Sequence, residues 1–150
     1  MSFVQVELTL QGIEGAMRAI GALASTDLED LVFDVGTFLA GSTQDRMTTG
    51  VAPDGNAWTP WSEDYAQTRH AGHSLLIGDG NLHRSIQNIS SGLTASVGAH
   101  MIYGAVHQLG GKAGRGGETP IPARPYLGLS DHDRRAVEDL VAGRLAEAFE

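Results

Sequence analysis

Residues 3–10 of the chain alternate. Val4, Val6, Leu8 and Leu10 fall on one face, with Gln5, Glu7 and Thr9 on the other, and a period of two predicts a half-buried strand. Gly12 ends it, and the spacing changes to Ile13, Met17, Ile20 and Leu23 or Ala24, which predicts a short helix up to Ser25. A second helix is predicted from Thr26. Thr26 is the candidate N-cap, Glu29 stands three residues on as its capping-box partner, and Asp27 and Asp30 suit the positive helix end. Leu28, Leu31, Val32, Val35, Phe38 and Leu39 form one continuous stripe. Continued to Met47, this helix is roughly 30 Å long.

The pattern then becomes irregular. Pro53-Asp54-Gly55-Asn56 is a turn, Trp58 and Trp61 supply bulky apolar surface within loop, and Ser62 caps one or two helical turns through Tyr65. A brief apolar patch, Leu75-Leu76-Ile77, precedes Gly78-Asp79-Gly80. Leu82, Ile86 and Ile89 lead into a hairpin in which Ser90-Ser91-Gly92 separates Ser85–Ile89 from the alternating Leu93, Ala95 and Val97. Tyr103 to Leu109 reads as a short helix stopped by Gly110. Gly110 to Glu118 holds five glycines with Lys112 and Arg115, and reads as a flexible loop over 110–120 that forms no packed element by itself. Ser130 caps a terminal helix with Asp131 and Asp133 in its first turn and Val137, Leu140, Val141, Leu145 and Ala148 on one face. The expected class is α+β: a small, mainly antiparallel sheet from the N-terminal strand and the 85–97 hairpin, packed by a long N-terminal helix and a C-terminal helix in a single domain over 1–150.

Composition narrows the function classes. The 150 residues include 41% apolar types, enough for a proper core. No apolar run approaches the roughly 20 residues that span a bilayer, and the N-terminal stretch has neither the basic region nor the cleavage site of a signal peptide. Without cysteine there are no disulfides, thiolate metal sites or thiol catalysis, which fits folding in a reducing cytoplasm. The net charge is −8, and Lys112 is the only lysine among 10 basic residues. That balance argues against a general nucleic-acid binder, whose affinity comes from releasing phosphate counterions.

His70, His73 and His83, with Asp79 close by, are zinc or iron ligand types, and a metal-dependent hydrolase using the His70/His73 region is one alternative function. These histidines lie in predicted loop, however, and no second motif supplies a general base. No Gly-x-Ser-x-Gly elbow or Ser-x-x-Lys occurs. Gly111-Lys112 is followed by Ala113 where a phosphate-binding loop needs Ser or Thr.

The remaining signal is the block Tyr103-Gly104-Ala105-Val106-His107-Gln108-Leu109-Gly110-Gly111, followed by Ile121-Pro122-Ala123-Arg124-Pro125-Tyr126-Leu127-Gly128-Leu129. Pro120, Pro122 and Pro125 stiffen the second part. Such an extended segment can add to a sheet or lie across a neighbouring subunit. Arg124, held between stiff positions, suits a bidentate carboxylate contact, and Tyr126 and Leu127 read as core or interface anchors.

With the amphipathic helix through Arg46, the Pro53-Asp54-Gly55/Trp58/Pro60 run and Leu82 leading into Ser85-Ile86 and Val97-Gly98, this block resembles the virion morphogenesis proteins of Mu-like phages. These are related to tail completion proteins of other contractile-tailed phages. The family often has alanine where Gly104 stands and phenylalanine where Tyr126 stands. The resemblance implies a structural, non-enzymatic protein of tail completion and head–tail joining, a tail terminator or neck ring subunit without a cofactor. It implies self-association into a hexameric ring, with tail-tube and neck or head-completion proteins as partners. The expected location is the virion tail or neck, and the host cytoplasm during assembly. Tyr103, His107, Gln108, Lys112, Arg115, Pro122, Arg124, Pro125 and Tyr126 are the candidate interface residues. DNA would pass nearby without specific binding, and a nucleic-acid-contacting neck protein is the second alternative.

Overall fold

The computed structural model describes residues 4–9 and 25–148. The helix expected over residues 13–25, and the side chains of the N-terminal strand's apolar face, lie outside the described residues. The architecture is α+β. Strand β1 (Val4–Thr9) leads to the long helix α1 (Ser25–Thr49). Two single-turn helices follow, α2 (Glu63–Ala66) and α3 (Asn81–Arg84). Strands β2 (Ile86–Asn88) and β3 (Thr94–Ala99) form the expected hairpin. Helix α4 (Gly104–Leu109), strands β4 (Gly111–Ala113) and β5 (Thr119–Ile121), and helix α5 (Asp131–Ala148) complete the order.

The main sheet is antiparallel with β3 in the centre, in the order β1-β3-β2. Val97 pairs with Val6 on one side and Asn88 on the other. As the central strand, β3 carries small residues on both faces: Ala95, Val97 and Ala99 are buried, and so is Ser96. Helix α1 lays Leu28, Leu31, Val32, Val35 and Leu39 into the core, with Phe38 at its margin. Gly36 faces the hairpin turn, and a β-carbon there would collide with Ser90 and Asn88. The glycine lets Asn88 Nδ2 reach the Phe33 carbonyl at 2.9 Å.

Helix α5 is docked on α1 by charge as well as by Val137 and Val141. Arg46 Nη2 donates to Asp133 Oδ2 at 2.6 Å, its Nη1 donates to the Tyr126 carbonyl at 2.5 Å, and Ser42 Oγ donates to Asp133 Oδ1. Ser130 and Asp133 cap each other: the Ser130 N–H donates to Asp133 Oδ2 and the Asp133 N–H to Ser130 Oγ, both at 3.0 Å. Burial of Asp133 works against its charge. The Ser130 N–H, Ser42 and Arg46 outweigh it and hold the carboxyl below the usual range. A second, more exposed pair, Arg144 to Asp34 at 2.6 Å, ties the same two helices together.

The 110–120 segment differs from the expected loop. Gly111–Ala113 and Thr119–Ile121 pair as a two-stranded ribbon, with a 3-10 turn at Arg115–Gly117. Positive φ values at Gly114, Gly116 and Gly117 make the tight return that other residues resist, so the glycines build the turn.

Candidate functional site

The Tyr103–Leu129 block folds onto itself. Gln108, on α4, clamps the proline-stiffened segment as a strand partner would. Its Oε1 accepts from the Tyr126 N–H at 3.0 Å and the Leu127 N–H at 2.9 Å, and its Nε2 donates to the Leu127 carbonyl at 3.0 Å. The Arg124 N–H donates to the His107 carbonyl at 2.7 Å, and Trp58 Nε1 donates to the Pro125 carbonyl at 2.9 Å. Tyr126 is fully buried and its hydroxyl donates to the Gly104 carbonyl at 2.9 Å. Burial pushes its phenol up to about 12. The segment expected to reach a neighbour is therefore anchored within its own chain, because the backbone groups of Tyr126 and Leu127, the Arg124 N–H and the Pro125 carbonyl all find internal partners.

Arg124 departs from its expected carboxylate contact. Its side chain is 6% exposed and has no acidic partner among the described residues. Instead Nε donates to the Thr59 carbonyl at 2.8 Å and Nη2 to the Pro60 carbonyl at 3.2 Å. Burial lowers its pKa. His107, beside it, is lowered by burial first and by the Arg124 charge second, and its buried Nδ1 has no partner.

The strand-adding role expected of the proline segment also changes. Pro120 pairs with Lys112, and since proline cannot donate, theirs is the non-hydrogen-bonded kind of pair, with both backbones turned outward. The outward edge of β5 thus meets Pro120 and, two residues on, Pro122. Neither offers an N–H, so this edge is blocked against a further strand.

The other candidates lie on the surface. Lys112 and Arg115 are exposed on the ribbon, Pro122 is exposed and Pro125 half-buried. Tyr103 is partly exposed, with its ring edge-on to His107 at 5.9 Å. Sequence reasoning passed over Ile102 and Leu109, which are 73% and 75% exposed. Their apolar character, Leu109 at the end of the predicted helix and Ile102 just before it, is the signal the sequence offers. It also passed over the burial of Arg46, which looks like an ordinary basic residue in a helix's last turn.

The histidine region gathers less. His70 and His73 rings stand edge-on 5.1 Å apart, and among the described residues no three His, Asp or Glu side chains converge as a metal site would require. No helix of the described residues is long and apolar enough to cross a membrane.

Residues 8–146 match the model of the phage virion morphogenesis family. The chain belongs to that family. The virion morphogenesis block from Tyr103 to Leu129 lies wholly within the match. Relatives include a protein of Escherichia phage Mu described as a putative capsid assembly protein G, 31% identical over 74% of this chain and 75% of the relative. Two Mu-like prophage proteins of Haemophilus influenzae are similar as well. FluMu G protein 2 is 44% identical over 43% of this chain, and FluMu G protein 1 is 34% identical over 64% of it. The match spans 48% of the first of these and 64% of the second. No solved structure matches the chain. Membership of this family gives the protein a role in virion assembly.

Proposed function

We propose that this virion morphogenesis protein acts, without catalysis, in tail completion and head–tail joining, as a ring-forming subunit at the end of the tail next to the neck. One observation carries the reading. The β4–β5 ribbon carries exposed Lys112 and Arg115 with no ion-pair partner among the described residues, and Leu109 on the adjoining helix α4 and Ile102 and Tyr103 just before it are exposed too. Exposed large apolar side chains together with unpaired charge are the make-up of an assembly surface. On a chain of net charge −8, two exposed cations on one ribbon are placed to meet an acidic neighbour, either another copy or a tail-tube or neck protein. The same acidic balance suits a ring past which DNA slides without being held.

The test removes Lys112 to Gly117 from the chain and examines the particles by electron microscopy. The expected result is tails that assemble but fail to join heads. Joined particles in normal number would overturn the ribbon's role.

A further inference from the structure

Arg124 is a buried cation without a counter-ion among the described residues. A guanidinium has five N–H donors in a rigid fork. The Thr59 and Pro60 carbonyls occupy the side of the fork formed by Nε and Nη2, which leaves the end formed by Nη1 and Nη2. Arg124 lines a groove of about 460 Å³ whose walls include Pro60, Trp61, Tyr65, Leu75, Ile121 and Pro122. Carbonyl dipoles orient the cation but do not neutralise it, and an unpaired charge this deep is costly unless an anion arrives. The groove therefore suits a carboxylate carried next to an aromatic or aliphatic side chain. Because the β5 edge is blocked by proline, recognition must come through side chains.

The chain itself presents such a segment elsewhere. Outside the groove, the exposed large apolar side chains among the described residues are Phe33, Ile102, Tyr103 and Leu109. Of these, only Phe33 stands among carboxylates. On α1, Glu29 and Asp30 are exposed one turn before it, on the same helix face. Phe33 is 56% exposed, so it does not fill the groove of its own chain. We propose that the Glu29–Phe33 face of α1 in one copy docks in the Arg124 groove of a second copy, with Phe33 between Tyr65 and Pro122 and a carboxylate on the free end of the Arg124 fork. This rests on the self-assembly reading above and gives it a direction. The two surfaces are different, so the contact is head-to-tail and propagates into a ring or filament.

The test uses the full chain and sedimentation velocity. Asp30→Arg with Phe33→Ser removes the face, and Tyr65→Ser with Pro122→Glu spoils the groove. All four positions are exposed, so the variants are expected to fold, with circular dichroism as the check. Each double variant should weaken self-association about tenfold or more, the loss typical of a central interface anchor. The decisive arm mixes the two variants. Each keeps the surface the other lacks, so they should pair one-to-one and stop at a dimer. If the unmodified chain assembles and the variants assemble equally well, the ring reading stands and this contact is wrong. A mixture that stays monomeric likewise overturns it. An unmodified chain that stays monomeric at all concentrations overturns both.

Discussion

Replacing Gly104 by alanine should destabilise the protein, and replacing Tyr126 by phenylalanine as well should cost clearly less than the sum of the two single losses. A β-carbon at residue 104 would lie 2.9 Å from Tyr126 Oη, with Leu82 Cδ1 at 3.5 Å and the Ala99 Cβ at 3.6 Å. Ordinary carbon–oxygen contacts start near 3.3 Å, so the hydroxyl must retreat by several tenths of an ångström. It cannot retreat freely, because the ring is fully buried and the hydroxyl is bonded to the carbonyl of the same Gly104. Overpacking of this kind costs about 1–3 kcal/mol. Alanine in a helix returns at most about 1 kcal/mol over glycine, leaving a net loss of about 0.5–2 kcal/mol for Gly104→Ala. Tyr126→Phe alone loses one buried hydrogen bond, about 1 kcal/mol. In the double variant the new methyl occupies the space the hydroxyl vacates, so the two costs should not add. The coupling should favour the pair by about 1–2 kcal/mol. Urea unfolding of the four proteins measures it, as shifts in midpoint at constant slope. Losses that add to within about 0.5 kcal/mol would refute the steric argument. The tyrosine hydroxyl fits only where the helix opposite has no β-carbon.

The Arg46–Asp133 pair gives a second expectation: Asp133→Ala leaves Arg46 buried without its anion and should cost about 3–5 kcal/mol in the same unfolding measurement. Asp133 also sets part of the acid limb. Its folded pKa lies below the unfolded value, so its contribution is present above the unfolded pKa and disappears as pH falls through the folded one. His107 is likewise lowered, so its neutral form adds stability above the ordinary histidine range that is lost below it. Thermal melts from neutral to acid pH should fall, and less steeply in His107→Gln near pH 6. At the alkaline end the sign reverses. Tyr126 is raised from 10.0 to about 12, so stability should fall as pH climbs between those values, and Tyr126→Phe should flatten that limb.

Much of this fold is legible in the sequence where one periodicity governs a long stretch. The α1 stripe of Leu28, Leu31, Val32, Val35 and Leu39 is buried as its spacing requires. The helix begins at Ser25, one residue before the proposed cap at Thr26, a difference of the usual size for helix ends. The Ser90-Ser91-Gly92 turn marks the hairpin, and Ser62 caps its short helix, accepting from the Tyr65 N–H. The strand alternation of Leu93, Ala95 and Val97 conceals that β3 is central and buried on both faces, because Ser96 and Gly98 look polar or neutral in sequence yet are covered. The ribbon was hidden for a different reason. Dense glycine signals mobility by composition, but here three positive-φ glycines close a turn between two paired three-residue strands.

The site was legible as a block and not as a set of contacts. The sequence separates Arg124 from Thr59 and Pro60 by more than sixty residues, and nothing local says that main-chain carbonyls, rather than a carboxylate, will hold the guanidinium. Gln108 reads as a surface amide until the proline segment folds back and offers it three backbone groups. Proline stiffness reads in the sequence as preorganisation for a neighbour. What it preorganises is the chain's own docking, and the unpaired end of Arg124 is the part left for a neighbour.

The central claim, a part in joining tail to head, is tested most directly by removing the whole chain from an induced phage or prophage lysate and counting particles by electron microscopy. The account predicts filled heads and tails present separately, with joined, infectious particles restored when the chain is supplied from a plasmid. Joined particles at the unmodified titre in the absence of the chain would contradict it.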